Sequence, residues 1–219
     1  MGSHCLKRAK RIQRQFGGLR HREYRSVFFE RAVIKSCAGA KRISIDLTMQ
    51  ANIPAMTIRI KQALPADAPI ILQLIRELAE FERLLHEVQA TEEQVREQLF
   101  GARPGAEVVI ARMGDEVAGF ALFFHNFSTF LAKPGIYLED LYVRQKFRGQ
   151  GCGEALLRHL ARLALERGCG RLEWSVLDWN VRAIEFYKSL GAVPMDQWTV
   201  HRVSGEALVK LGKATGESG

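Results

Sequence analysis

The chain has little that would staple it, metallate it or embed it in a membrane. Its four cysteines, Cys5, Cys37, Cys152 and Cys169, are scattered through 219 residues without a C-x-x-C pair, and none joins the six histidines in a ligand-like array. That spacing argues against a disulfide framework and a structural zinc site; it reads as reduced thiols in a cytosolic protein, with no metal expected. No uninterrupted apolar run approaches the roughly 20 residues of a membrane-crossing helix, so no membrane partner is expected. The basic start lacks the apolar stretch of a secretory signal, and nothing repeats. Two familiar phosphate-binding signatures are missing too. No Gly-rich loop ends in G-K-S/T, and no β-α-β unit opens with G-x-G-x-x-G followed by an acidic residue about 20 positions on.

What is present is an ordinary globular composition, 47% apolar and 26% charged, in a chain long enough for one sizeable core and an appendage. The net charge of +8 is uneven: residues 1–55 carry twelve Lys and Arg against three Asp and Glu, and the remainder is close to neutral. Three readings of that basic segment stay open. It is a nucleic-acid or acidic-surface arm, with Phe16, Tyr24, Phe28 and Phe29 interleaved among the cations; an Arg-rich organelle address; or an extension upstream of a domain that starts at Met56. The last is preferred, so nucleic-acid binding is not expected and residues 1–55 receive no core role. The domain then spans residues 56–211, followed by a polar tail, residues 212–219.

Within the domain, residues 57–63 alternate as a strand does, with Ile58 and Ile60 on one face. Asp67 offers an N-cap, Pro69 fits a first helical turn, and Ile71, Leu74, Ile75, Leu78 and Phe81 follow at helical spacing. Thr91 to Gln94 spell a capping box for a short helix reaching Phe100. Two apolar runs, 107–113 and 116–124, meet at Gly114-Asp115 as a hairpin, and residues 125–135 read as a loop. After a central strand come a helix over 155–166 closed by Gly168, a strand over 171–177, a helix over 181–190 capped by Asn180, and a closing strand over 200–203. The order β-α-α-β-β-β-α-β-α-β predicts an α/β fold, a mixed central sheet with helices on both faces.

The centre of the chain is residues 137–157, Y-L-E-D-L-Y-V-R-Q-K-F-R-G-Q-G-C-G-E-A-L-L. It reads as strand, loop and helix. Gly149, Gly151 and Gly153 remove the side chains that would hold an anion away from the N–H groups at the helix start, and Arg148 adds a permanent charge. R-G-Q-G-C-G fits the pattern Q/R-x-x-G-x-G/A and so resembles the acyl-CoA loop of the GNAT superfamily of N-acetyltransferases. The element order is also that of the GNAT fold. The resemblance implies acetyl-CoA as co-substrate, its pyrophosphate held by this loop.

Moving an acetyl group from a thioester to an amine requires that an ammonium with pKa near ~10 be deprotonated, that the developing oxyanion meet a donor, and that the thiolate be protonated as it leaves. Glu139 and Asp140 are consecutive on the central strand, so only one is expected to line the cleft. Acids inside an apolar strand are expensive unless they are paired, functional or hydrated at a strand end. Tyr187 either packs half-buried or, with Phe186 filling the core position, faces the cleft.

Six stretches in order carry a narrower resemblance: L-I-R-E-L-A-E-F-E from Leu74, Y-L-E-D-L-Y-V, F-R-G-Q-G-C-G, V-L-D-W-N from Val176, F-Y-K-S-L-G-A from Phe186, and W-x-x-x-R-x-x-G-E-A-L from Trp198. They are similar to the diamine acetyltransferases, in particular the spermidine/spermine and thialysine branch. The resemblance implies that Glu139 draws the amine proton and that Tyr187 protonates the CoA thiolate. It implies that Leu141, Tyr142 and Val143 pair with the pantetheine arm, and that Arg148, Gly149, Gln150, Gly151, Cys152, Gly153 and Glu154 hold the pyrophosphate. Asn180, Val181, Arg182 and Ala183 would bind the rest of CoA. Phe81, Glu82, Asp140, Glu173, Trp174, Ser175 and Asp196 fall where the family meets its amine, and a homodimer is implied. Transfer by direct attack in a ternary complex is expected, because no cysteine sits beside a base. Acetylation of a peptide amine, or a non-catalytic acyl-CoA sensor with a nucleic-acid-binding arm, remain the alternatives.

Overall fold

The computed structural model describes residues 57–213. The basic N-terminal segment and the end of the polar tail, with the readings attached to them, lie outside the described residues. Five strands form one sheet in the order β1-β2-β3-β4-β5, comprising β1 Ile58–Gln62, β2 Glu107–Met113, β3 Glu116–Ser128, β4 Lys133–Val143 and β5 Leu172–Trp174. All neighbours are antiparallel except β4 and β5. This is the mixed sheet that the element order predicts: one crossover helix sits between β4 and its parallel partner, and hairpins join β2, β3 and β4.

Alternation sends one set of side chains to each face, and each set meets helices. α1 (Ala68–Phe81) and α2 (Glu92–Phe100) bury Ile71, Leu74, Leu78 and Val95 against Val108, Ile110, Phe120 and Tyr142. The capping box of α2 forms as spelled, Thr91 Oγ1 accepting from the Gln94 N–H and the Gln94 side chain from the Thr91 N–H. On the opposite face α3 (Cys152–Glu166) lays Leu156, Leu157, Leu160 and Ala164 over Val109, Ala121, Phe123, Ile136 and Leu138. α4 (Val181–Ser189) adds Phe186 and Tyr187 to that layer. Asp67 is more local than a cap: its carboxylate accepts from the Leu64 N–H at 2.8 Å and holds the turn before α1, with no capping bond to the helix.

Two sequence expectations are corrected. Residues 125–135 are not a loop: β3 runs on to Ser128, β4 starts at Lys133, and Phe127 pairs with Pro134. Pro134 lacks only a donor, and its carbonyl still accepts from the Gly170 N–H at 2.8 Å, while Gly135 lies where a Cβ would run into the Asn126 side chain. The pair of apparent breakers is therefore built into a strand. Residues 200–203 are not a strand: they are irregular, and a helix, α5 (Gly205–Lys213), follows. β5 is also shorter than expected, ending at Trp174. An extended segment needs a ladder to satisfy its backbone, and a three-residue edge strand offers almost none.

β4 positions everything that follows. It pairs with β3 through Val143, but with β5 only from Ile136 to Leu138. Gly119 is what lets β3 and β4 lie close at the site end, because a Cβ there would collide with the Tyr142 carbonyl oxygen. Gly119→Ala is expected to force the strands apart and to cost about 1–3 kcal/mol as overpacking does, read as a lowered urea midpoint with an unchanged slope.

Candidate active site

Beyond Leu138 and Trp174 the parallel strands part, and a cleft of about 620 Å³ opens between residues 138–143 of β4 and residues 174–177. Leu141, Tyr142 and Val143 use one backbone edge to pair with Ala121, Phe120 and Gly119. Their other edge has no strand beside it among the described residues and borders the cleft. The loop 148–151 closes one end. Gly149 and Gly151 adopt φ of +76° and +84°, conformations that L side chains rarely hold, and a Cβ on Gly149 would meet nothing within 4 Å. The N-terminus of the 15-residue α3, with Gly151 as its N-cap, therefore stands open, with its first N–H groups free for a pyrophosphate. These residues fit an acyl-CoA.

The wall opposite is the end of α1, fixed by a two-pronged ion pair. Arg144, just past β4, donates from Nε and an Nη to the two Glu77 carboxylate oxygens at 2.9 and 2.8 Å. One turn later Phe81 lies under the Arg148 guanidinium, 4.4 Å from the ring centroid, while Arg148 Nε donates to the Val143 carbonyl at 2.8 Å. Trp179 packs on Phe81, 5.9 Å between centroids.

Four carboxylates line this cleft, from Glu82, Glu139, Asp140 and Glu154, the last of them paired with Arg158. Burial pushes Asp140 up to about 6, and the charges of Glu139 and Glu82 add to it. Burial also raises Glu82. Tyr187 is pushed up by burial and then by Glu82, so its phenol keeps its proton; its ring stands edge-on to Trp174 at 5.0 Å. Cys152 is buried beneath the loop, and that burial raises its thiol.

Of the residues singled out from the sequence, the cleft brings together Phe81, Glu82, Glu139, Asp140, Leu141, Tyr142, Val143, Arg148, Gly149, Gly151, Cys152, Gly153, Glu154, Trp174, Ser175, Asn180, Arg182, Ala183 and Tyr187. Gln150, Val181, Glu173 and Asp196 are not on its wall. Gln150 donates back to the Lys146 carbonyl. Glu173 turns away from the cleft, held by Arg171 at 2.8 Å and by the Asn126 amide at 2.8 Å, because neighbours along a strand alternate and Trp174 takes the inward place. Asp196 is exposed in the irregular segment after α4. The expectation that only one of Glu139 and Asp140 lines the cleft is corrected, since both do. The Glu77–Arg144 brace went unread in the sequence: its partners are 67 residues apart, and no local pattern signals such a pair.

A sheet that parts at its parallel pair, with a glycine loop opening a helix N-terminus and a carboxylate cluster in the gap, is the framework of an acyl-CoA-dependent transferase. Residues 71–192 match the acetyltransferase (GNAT) family, and the chain belongs to that family. It is similar to the thialysine N-epsilon-acetyltransferase of Bos taurus, 39% identical over 165 residues that cover 70% of this chain and 96% of that one. It is also similar to the L-ornithine N5-acetyltransferase NATA1 of Arabidopsis thaliana, 35% identical over 200 residues, covering 71% and 88%. Among solved structures, the integron cassette protein VCH_CASS6 from the mobile metagenome of V. cholerae matches with a TM-score of 0.63 and 30% identity over 73% of this chain and 99% of that one. The protein is an amine N-acetyltransferase.

The raised carboxyl has a consequence for stability. A folded pKa of about 6 against 3.8 for the free group means that the native state binds this proton more tightly between those values, so stability falls as pH rises through that window. The shift corresponds to about 3 kcal/mol at neutral pH. Asp140→Asn is expected to raise the urea midpoint at pH 8 and to change it little at pH 4. Comparison with the parent at each pH removes Glu107, which Arg167 holds below its usual range and which contributes with the opposite sign.

Proposed function

We propose that the protein acetylates the primary amine of a small lysine-like or polyamine acceptor, by direct attack on acetyl-CoA in a ternary complex. The observation that carries this is the group of Glu82, Glu139 and Asp140 beside the glycine loop, the cleft carboxylates that have no ion-pair partner among the described residues, whereas Glu154 is paired with Arg158. Acids gathered in one cleft repel one another, and a bound cation offsets that cost. The names of the thialysine and ornithine N-acetyltransferases support a lysine-like acceptor.

The roles follow from the wall of the cleft. Gly149, Gly151, Gly153 and the first turn of α3 hold the pyrophosphate, and Asn180, Arg182 and Ala183 hold more of CoA. The free edge of β4 at Leu141 to Val143 pairs with the pantetheine amides and offers an N–H to the thioester oxygen. A carboxylate of the adjacent pair Glu139 and Asp140 receives the amine proton, and Tyr187, kept protonated, gives one to the departing thiolate. Phe81, Glu82, Trp174 and Ser175 border the acceptor.

Cytosolic residence is supported by the two described cysteines being free, and no described helix is long and apolar enough to cross a membrane. A homodimer is supported by Trp198 and Val200, 70% and 80% exposed, beside a chain whose outer strand β5 pairs only with β4 among the described residues.

The test is a CoA-release assay with acetyl-CoA and spermidine, putrescine, thialysine, lysine or a basic peptide. Turnover with one of the small amines and none with the peptide is expected; turnover with the peptide alone would overturn the small-acceptor reading. Tyr187→Phe is expected to lower kcat by roughly 10²- to 10⁴-fold while CoA affinity measured by calorimetry holds. Cys152→Ala should keep most of the activity, and its complete loss would contradict direct attack.

A further inference from the structure

Glu139 and Asp140 escape the alternation of a strand because of an extra residue. The register across β3 slips between Leu122 and Phe123: Leu122 faces Asp140 and Phe123 faces Leu138, leaving Glu139 without an opposite number. A bulge of this kind re-aims the side chains that follow it. Leu138 packs in the α3-side core, and so does Leu141, three residues later instead of two. Asp140 and Tyr142 thereby turn toward the side of α1, whose C-terminal end carries Phe81 and Glu82.

The two acids end up unlike each other. Glu139 is exposed, whereas Asp140 is half-buried and has no hydrogen-bond or ion-pair partner among the described residues. The ionisable groups sharing its cleft are Glu82 at the end of α1, Glu139 and Tyr142 on its own strand, Arg148, Cys152 and Glu154 at the glycine loop and the start of α3, and Arg182 and Tyr187 on α4. Neither cation reaches it. Arg148 is engaged with the Val143 carbonyl and the Phe81 ring, and Arg182 lies exposed on the first turn of α4.

Resting on the amine-acetylation reading, we infer that Asp140, not Glu139, takes the proton of the acceptor ammonium, while Glu139 and Glu82 act on it as fixed negative charges. Glu139 is exposed, and water already offers its carboxylate hydrogen bonds. A withdrawn, unpartnered carboxylate between two like charges gains most from neutralisation, and an ammonium beside it becomes a neutral amine and a neutral acid by one proton transfer. The neutral nitrogen then attacks the thioester carbon, the C–N bond forms as the C–S bond breaks, and the electron pair leaves on sulfur to take the Tyr187 proton; the acylated nitrogen sheds its second proton, which restores the Tyr187 phenol and leaves a neutral amide. Asp140 gives its proton to solvent as the product departs.

The test is the pH dependence of kcat/KM for the acceptor amine in the parent, Asp140→Asn and Glu139→Gln, with acetyl-CoA affinity measured in each by calorimetry. In the parent an acid limb near pH 6 is expected. Asp140→Asn should lose that limb and roughly 10²- to 10⁴-fold in rate, with CoA affinity kept. Glu139→Gln should keep the limb, moved to lower pH because one repelling charge is gone, and stay within about tenfold of the parent rate, less than removing a general base costs. A limb that vanishes in Glu139→Gln and survives in Asp140→Asn would overturn the assignment, as would parent-like rates in Asp140→Asn. No acetylated amine from the parent with any acceptor would overturn the amine reading itself.

Discussion

The site depends on one interruption: β4 and β5 are hydrogen-bonded partners for three residue pairs and then separate. A parallel pair that continued would consume the donors and acceptors on that edge of β4 and leave no gap. Because it stops at Leu138 and Trp174, the edge of residues 139–143 is held on one side by β3 and left free on the other. A rigid strand with an unsatisfied edge is a ready partner for an extended amide-bearing ligand. The α3 N-terminus and its glycine loop begin where this edge ends, so the loop and the open strand edge line one continuous cleft.

The interruption is affordable because the rest of the sheet is firmly packed. Cores on both faces bury Phe120 and Phe123 completely, and the Glu77–Arg144 pair ties α1 to the end of β4 on the open side. That pair is partly shielded, fork-on-fork, and joins elements far apart in sequence, the setting in which an ion pair fixes geometry as well as contributing energy. It carries Phe81 and Glu82 to the cleft. The same fold accommodates charges that oppose its stability, since Glu82 and Asp140 are both pushed toward their neutral forms by burial. Local cost of this kind is characteristic of a site shaped for a ligand and not for folding.

Much of this could be read locally. The glycines of the loop, the capping box at Thr91, the Asn180 cap, which accepts from the Ala183 N–H at 3.3 Å, and the apolar stripes of α1 and α3 all act within one or two turns of chain. Glu139, Asp140 and Tyr187 were visible as chemically suitable residues near the loop. What misled was also local. Pro134-Gly135 looks like a break but lies within a ladder, and residues 200–203 alternate like a strand but find no partner.

By itself the sequence determined the types and order of the elements as far as the helix at residues 181–189, the glycine loop and the family, because propensity, periodicity and glycine conformation are properties of neighbouring residues. Only the tertiary structure decided that Glu139 and Asp140 share one cleft, that Glu173 turns away while Trp174 turns in, and that Arg144 braces Glu77. Each of these depends on register or pairing between strands and helices. A single extra residue opposite Leu122 and Phe123 inverts the phase of β4, and no pattern within the strand shows where its neighbour will slip.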